Sequence, residues 1–332
     1  MPNFNIKIVL KYNILLFKML KKTLEINKYK SRNKYSTDIT SNYYHEEFQY
    51  LNLLEDILND GTLQEGRNGF TKCVYGSALH FSLENNKIPI LTTKKTAWKT
   101  CLKELLWFIK GQTSNQILND QKVHIWDGNA TSEFKESRGL SHYKEEDLGP
   151  LYGYQWRFFN APYDDCDANY YGKGVDQLQE VIDCLKDPEK RYSRRLVVSA
   201  WNPCQINDAV LPPCHVLFQF NVIDNKLSCS LYQRSCDCAL GQPFNIASYS
   251  FLTHLIAKHC DLEPYEFIHY VGNAHIYEPH LEQMKEQIER DPKEFPTIEI
   301  LNKRENINDY VLSDFKINNY KHHAQIKMDM VA

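Results

Sequence analysis

Several things are scarce in this 332-residue chain, and each scarcity removes a class of protein. No run of eighteen apolar residues occurs, so no segment has the length of a membrane-spanning helix. The nearest, Ile8 to Leu20, is broken by Lys11, Asn13 and Lys18. No small-residue cleavage site follows it, so it does not read as a secretory signal either. The ten cysteines lack the CxxC spacing of zinc sites. Their one close pair, Cys236-Asp237-Cys238, is separated by a single residue, and no metal is expected. In a chain this long they read as reduced thiols of a cytoplasmic protein, with the nucleus as the other compatible compartment. Beyond residue 45 there is no internal repeat and no low-complexity block.

Positive charge is also scarce where most of the chain lies. Residues 1–45 carry nine Lys and Arg against two acids, a net +7; the whole chain is −3, which leaves −10 for residues 46–332. A body of that sign is a poor match for nucleic acid, which needs a basic face. An anionic ligand would have to be held by a few placed arginines. The basic leader reads as a flexible extension in which Met19 could be the true start. Mitochondrial presequences favour Arg and Ser, and Arg32 is the only arginine of the leader, so targeting is the weaker expectation.

What is present from Glu46 onward is periodic. Phe48, Leu51, Leu54 and Leu58 recur at helical steps before Gly61, which predicts an amphipathic helix with a glycine stop. Val74–Leu83 is β-like. Helices are expected over Ala97–Ile109, stopped by Gly111, and over Asp176–Leu185. Three strands follow, Arg195–Trp201, Val216–Val222 and Lys226–Gln233, the last two joined as a hairpin through Asp224-Asn225. Ile246–His259 is apolar and long enough for a buried helix, and another helix is expected from Ile276 towards Arg290. Strands and helices mix without a βαβ rhythm. This predicts a single α+β domain over 46–332, with a mainly antiparallel or mixed sheet packed by helices.

Polar residues in apolar surroundings are the candidates for chemistry. Cys214 lies in Pro212-Pro213-Cys214-His215 between two predicted strands, where His215 and nearby arginines could stabilise a thiolate. A free cysteine is more often a small buried hydrophobe. Arg67, Arg194, Arg195 and Arg234 have the planar fork that suits a phosphate, and Ser235 adds a hydroxyl donor. Each arginine alone is more often in a surface ion pair. Asn245 offers a donor and an acceptor side by side, the pattern that matches a uracil edge, although it could equally serve a turn or a cap. Glu104 stands at the edge of an apolar helix face, where a solvated charge is the commoner outcome. His275 and Tyr277 are two apart, so an extended segment presents them on one side.

Taken together, several long stretches resemble the thymidylate synthase family, in its order. They are Glu104-Leu105-Leu106-Trp107, Asp147-Leu148-Gly149-Pro150, Tyr152-Gly153, Gln155-Trp156-Arg157, Val210 to His215, Leu231 to Ser235 and Pro243 to Tyr249. The resemblance covers about residues 46–332. The insertion between Trp126 and Asp147 looks like the eukaryotic or viral branch. The 45 residues ahead of it are too few for a fused dihydrofolate reductase.

The resemblance implies reductive methylation of dUMP to dTMP. Cys214 would add to C6 of the uracil, and 5,10-methylenetetrahydrofolate would be both carbon donor and reductant, leaving as dihydrofolate, with no metal, nicotinamide or flavin. It implies a homodimer built on the sheet surface. Arg67, Gln233, Arg234, Ser235 and Asp237 would lie on the nucleotide, with Arg194 and Arg195 reaching in from the partner subunit. Asn245 would read the pyrimidine, and His275 with Tyr277 the ribose. Glu104 would order water for proton transfer, Tyr152 would assist removal of the C5 proton, and His215 would tune that water network. The folate would meet Trp126, Asn129, Asp237, Leu240, Gly241 and Phe244, with Lys94 at its glutamate tail. The C-terminal Lys327–Ala332 would close over it with Val331 nearest. Three departures stand out: Asn68 and Phe70 in the phosphate loop, and Asn273 where an aspartate is usual. Two other readings remain, a deoxycytidylate hydroxymethylase on the same fold and a catalytically inactive nucleotide- or RNA-binding homologue. Asn245 favours uracil over cytosine, and Cys214, Glu104 and Asn245 are all present.

Overall fold

The computed structural model describes residues His45–Val331. The expected basic extension, and Met19 within it, lies outside the described residues apart from His45. The chain enters through a helix, α1 (Phe48–Asp60), whose buried stripe is Tyr50, Leu51, Leu53, Leu54 and Ile57. Gly61 ends it, its N–H bonded to the Ile57 carbonyl. A hairpin follows, β1 (Thr62–Gly66) and β2 (Gly69–Ser82), turned by Arg67-Asn68. The next helix, α2 (Trp98–Ile109), closes with Gly111 at φ 67°, a left-handed position suited to glycine.

The site is carried by the second half of the chain. It runs through α3 (Gly153–Phe158), α4 (Gln177–Lys186), β3 (Val197–Ser199), β4 (His215–Ile223), β5 (Lys226–Asp237), α5 (Gly241–His259), β6 (Glu263–Tyr277) and α6 (Leu281–Ile288). The six-stranded sheet has the order β1-β2-β6-β5-β4-β3. Every neighbour in it is antiparallel except β5 and β6, which run parallel with α5 as their crossover. A small separate ladder pairs β7 (Thr297–Ile300) with β8 (Phe315–Asn318). This is the expected α+β class with a mixed sheet.

One sheet face is the core. Leu79, Phe81, Phe218, Phe220, Leu231 and Phe267 point inward and are 0 or 1% exposed. Against them lies α5, buried nearly all round, as its lack of a polar face requires. On the other sheet face Tyr75, Tyr232 and Tyr270 are at least 40% exposed. Tyr232 and Tyr270 are register partners, and the Tyr75 and Tyr232 side chains share a hydrogen bond.

Strand β2 begins at Gly69 rather than Val74, β3 is confined to Val197–Ser199, β5 runs on to Asp237 rather than Gln233, and two further boundary differences bear on the site. The helix expected from Ile276 begins only at Leu281. Ile276 and Tyr277 finish strand β6, paired with Lys72 and Thr71, and Pro279 sits in a short 3-10 turn between the two elements. The helix expected from Ile246 starts five residues earlier, at Gly241, which puts Asn245 inside it rather than in a turn or cap.

Candidate active site

Cys214 sits one residue before β4, and the strand order places it beside β5. The Arg234 N–H donates to the Cys214 carbonyl at 3.0 Å. The Arg234 guanidinium donates to the Pro213 carbonyl at 3.0 Å and to the Pro212 carbonyl at 2.8 Å, and its third contact is the Cys214 Sγ at 3.9 Å. Its plane also lies over the Trp201 ring. The arginine is thereby fixed with its charge against the sulfur. Burial raises the Cys214 thiol, while Arg234, the Tyr152 hydroxyl and Arg67 all act to lower it.

Tyr152 approaches from the opposite side. Its hydroxyl accepts the Cys214 backbone N–H at 2.9 Å. Its backbone has φ 28° and ψ −93°, a left-handed position that costs an L-residue energy and marks a site where the surrounding packing dictates the geometry. The cause is the next residue. A Cβ on Gly153 would lie 2.2 Å from the Phe108 carbonyl oxygen, so α3 begins in direct backbone contact with α2.

That contact brings α2 to the site. Glu104 is half-buried on it, and its Oε1 accepts the Trp126 indole N–H at 2.8 Å. Burial raises this carboxyl to about 7, with the indole bond pulling the other way, so near neutrality it both holds and releases a proton. The solvated helix charge that a sequence reading favours for Glu104 is not what forms. His215 packs between Tyr152 and Tyr249, at ring distances of 5.1 and 5.3 Å. Burial lowers it to about 4, against a hydrogen bond with Asn245, so it is neutral near pH 7. The expected contribution of His215 to thiolate stabilisation is therefore corrected: an uncharged imidazole supplies no cation, and Arg234 takes that place.

Asn245 reaches the same cleft from the second turn of α5. The Gln233 Nε2 donates to its Oδ1 at 3.0 Å. Gln233, expected on the nucleotide, has its amide committed inside the protein. Nε2 also donates to the Ser235 carbonyl at 3.0 Å, and Oε1 faces the His269 Nε2 at 2.8 Å. Ser235 is half-buried on β5 next to Arg234.

The rim is formed by the β1–β2 turn and the end of β6. Arg67 at the turn lies 5.8 Å over the Phe134 ring. Asn68 hydrogen-bonds the Tyr277 hydroxyl, so this departure from the family pattern ties the turn to β6. His275 and Tyr277 do face one way, with ring centroids 5.3 Å apart. The Asn273 departure is spent on His275, Oδ1 to Nδ1 at 2.9 Å. Phe70 is 43% exposed. Asp237, opposite His275 in the register, accepts the N–H groups of Ala239 at 2.9 Å and Leu240 at 3.3 Å.

The cleft wall expected for folate is brought together in part. Leu240 and Gly241 open α5, with Phe244 one turn on, its carbonyl accepting from the Cys101 thiol at 3.3 Å. A Cβ on Gly241 would meet the Asp237 Cβ at 3.6 Å and the Asn245 Oδ1 at 3.8 Å, so the glycine keeps this floor low. Trp126 and Asn129 are both nearly buried in the adjoining segment. At the C-terminal tail, the His280 Nε2 bonds the Asp329 carbonyl at 2.8 Å, and Val331 follows, half-buried. Lys94 does not join this wall. It is enclosed, its ammonium bonded to the Ala239 carbonyl beside Asp237, and burial lowers it to about 8. The sequence reading missed this because a lysine in the polar run Thr93-Lys94-Lys95-Thr96 gives no sign of burial. Arg194 and Arg195 are exposed just before β3, at the far edge of the sheet, and among the described residues no hydrogen bond or ion pair ties them to Cys214. Among the described residues no group of three or more His, Cys, Asp or Glu is placed to hold a metal ion.

A thiol clamped by an arginine, a carboxyl that titrates near neutrality and an amide aimed into one cleft are the parts that covalent chemistry on a small anionic substrate requires. Comparison with known proteins makes this specific: residues 48–332 match the family model described as thymidylate synthase, and the chain belongs to that family. Among its relatives is the bifunctional dihydrofolate reductase-thymidylate synthase of Zea mays, 49% identical over 288 residues, or 86% of this chain and 54% of that protein. The protein of the same description from Leishmania major is 49% identical over 86% of this chain and 55% of its own length. That from Plasmodium chabaudi is 48% identical over 87% and 49%. The chain thus spans about half the length of the curated relatives it matches.

Proposed function

We propose that this chain converts dUMP to dTMP, with 5,10-methylenetetrahydrofolate as co-substrate and dihydrofolate as second product. The observation that carries the reading is the Cys214 sulfur held 3.9 Å from the Arg234 guanidinium, beside Tyr152, which Glu104 also faces and which packs on His215, the hydrogen-bond partner of Asn245. Arg234 opposes the cost that burial places on the thiolate, and the Cys214 Sγ adds to C6 of the uracil. The C5=C6 electron pair shifts towards C5 and O4, and C5 becomes the carbon nucleophile. C5 takes the one-carbon unit from the reduced folate and loses its proton, the folate leaves and returns a hydride to complete the methyl group, and the Cys214 thiolate departs from C6 as the C5=C6 bond re-forms.

Glu104, titrating near 7, exchanges the protons that O4 and the departing folate nitrogen require. Tyr152 keeps the nucleophile's backbone in place and puts its hydroxyl where the C5 proton must leave. Arg67, Arg234 and Ser235 receive the phosphate, and His275 with Tyr277 the ribose. Gly241, Leu240, Phe244, Trp126 and Asn129 form the folate wall, and the tail ending in Val331 closes it from water.

The second subunit completes the site. The exposed tyrosines Tyr75, Tyr232 and Tyr270 form a patch on a sheet face that no helix covers among the described residues, which fits a homodimer interface. Across that interface Arg194 and Arg195 of one chain would reach the phosphate bound by the other. The ten unpaired thiols favour a reducing compartment, the cytoplasm.

The test uses 5-fluoro-dUMP with methylenetetrahydrofolate. Fluorine cannot leave as a proton does, so the intermediate should accumulate, and intact mass should show nucleotide plus folate on Cys214. No added mass would end the reading. Release of tritium from C5-labelled dUMP separates it from a deoxycytidylate hydroxymethylase; faster release from labelled dCMP would reverse the choice of base.

A further inference from the structure

We infer that His269, a residue outside the cleft, is a positioning residue that sets which base the enzyme accepts, through a hydrogen-bonded chain His269–Gln233–Asn245. The inference rests on the dUMP reading above.

An asparagine amide is nearly symmetric in shape, yet its two ends are opposite in function, one an acceptor and the other a donor. Facing uracil, Oδ1 must meet N3–H and Nδ2 must meet O4. A flipped amide would present the donor to N3 and the acceptor to the 4-amino group, which is the pattern cytosine requires. Asn245 alone therefore does not choose between the bases; whatever fixes its orientation does.

The structure supplies the fixing group. Gln233 Nε2 donates to Asn245 Oδ1 at 3.0 Å and to the Ser235 carbonyl at 3.0 Å. A backbone carbonyl only accepts, so the nitrogen end of Gln233 is the end at Asn245, and its oxygen end points the other way. That oxygen meets His269 Nε2 at 2.8 Å. Since a Gln oxygen only accepts, the proton of His269 is on Nε2. His269 is fully buried on β6 and Gln233 is 3% exposed. Burial lowers His269 to about 3, so it remains neutral and cannot also protonate Nδ1 near pH 7. Among the described residues His269 Nδ1 has no hydrogen-bond partner, so none of them competes for the alternative tautomer. Without the His269 N–H, Gln233 would hold a buried oxygen with no partner. With that oxygen unpartnered, the Gln233 amide is no longer pinned at both ends, and its hold on the orientation of Asn245 loosens.

Two measurements test this. In wild-type protein, 15N NMR of the histidine rings should show His269 neutral with the proton on Nε2 from pH 5 to pH 8; a proton on Nδ1 would overturn the chain of bonds. Second, His269→Phe keeps an aromatic ring of similar size and removes the donor. In that variant the preference for dUMP over dCMP, measured as a ratio of dissociation constants, should fall at least tenfold, with the rise in KM for dUMP exceeding the fall in kcat. His269→Gln, which restores an N–H, should recover part of the ratio. A folded His269→Phe protein with the wild-type ratio would overturn the proposal. The NMR result decides if that variant does not fold. Wild-type protein that forms no 5-fluoro-dUMP adduct would defeat the dUMP reading itself, and that outcome is separate from both.

Discussion

Glu104 lies beside Cys101, Leu105 and Trp107 on a helix whose other buried residues are Leu102, Leu106, Phe108 and Ile109, and its carboxyl keeps a proton at a pH where an ordinary glutamate has lost it. Such a group costs stability once it ionises. Below about pH 4.5 it is protonated in both the folded and unfolded chain and has no effect. As the pH rises towards 7, the unfolded chain releases the proton more easily than the folded one, so the folded state loses ground. Glu104→Gln keeps an acceptor for the Trp126 indole and removes this penalty. The variant should match wild type near pH 4 and exceed it by about 2–3 kcal/mol at pH 8 in denaturant unfolding, while losing most of its turnover. Equal stability at both pH values would mean that Glu104 is solvated. At this scale the sequence disclosed identities more readily than environments. Cys214, Arg234 and Asn245 could be singled out by residue type and motif. The neutral state of His215, the burial of Lys94 and the place of His269 depend on side chains brought in from other elements, and no local pattern records them.

At the scale of elements, close backbone approaches set α3 against α2 and β6 against β5. The tightest is Gly153 against Phe108. Gly153→Ala would drive a methyl group into backbone atoms, which cannot move aside as a flexible side chain does. A loss of about 3 kcal/mol in unfolding free energy is expected, and a calorimetric scan should show the lowered midpoint. A wild-type midpoint would mean that α3 can slide. Elements with a regular period were legible: α1 and its Gly61 stop, α2 with Gly111, α4, and the hairpin through Asp224-Asn225, both of which have the positive φ such a turn requires. The end of β6 was not, because Ile276 continues equally well as strand or helix, and only its pairing with β2 decides. The parallel pairing of β5 with β6 carries no local signature either, since it follows from where α5 returns the chain.

For the whole molecule, the consequential surface is the tyrosine-bearing sheet face, with Arg194 and Arg195 near its edge. If each site draws arginines from its neighbour, defects in two chains should complement. Mixing equal amounts of inactive Cys214→Ser and Arg195→Ala chains, after dissociation and reassociation, should place one intact site in each mixed dimer. About a quarter of wild-type activity is expected from random pairing. Activity no greater than the sum of the two separate variants would show that each chain works alone.

The parallel β5–β6 pair has a further consequence in time. The ribosome releases Cys214 and Arg234 well before residues 263–277, the strand that flanks Arg234 and bears His269, His275 and Tyr277. Until that strand has emerged and docked, the sulfur belongs to an unfinished sheet and behaves as any thiol of a nascent polypeptide. On the reading proposed above, Cys214 meets its finished surroundings only once residues 263–277 have joined the sheet.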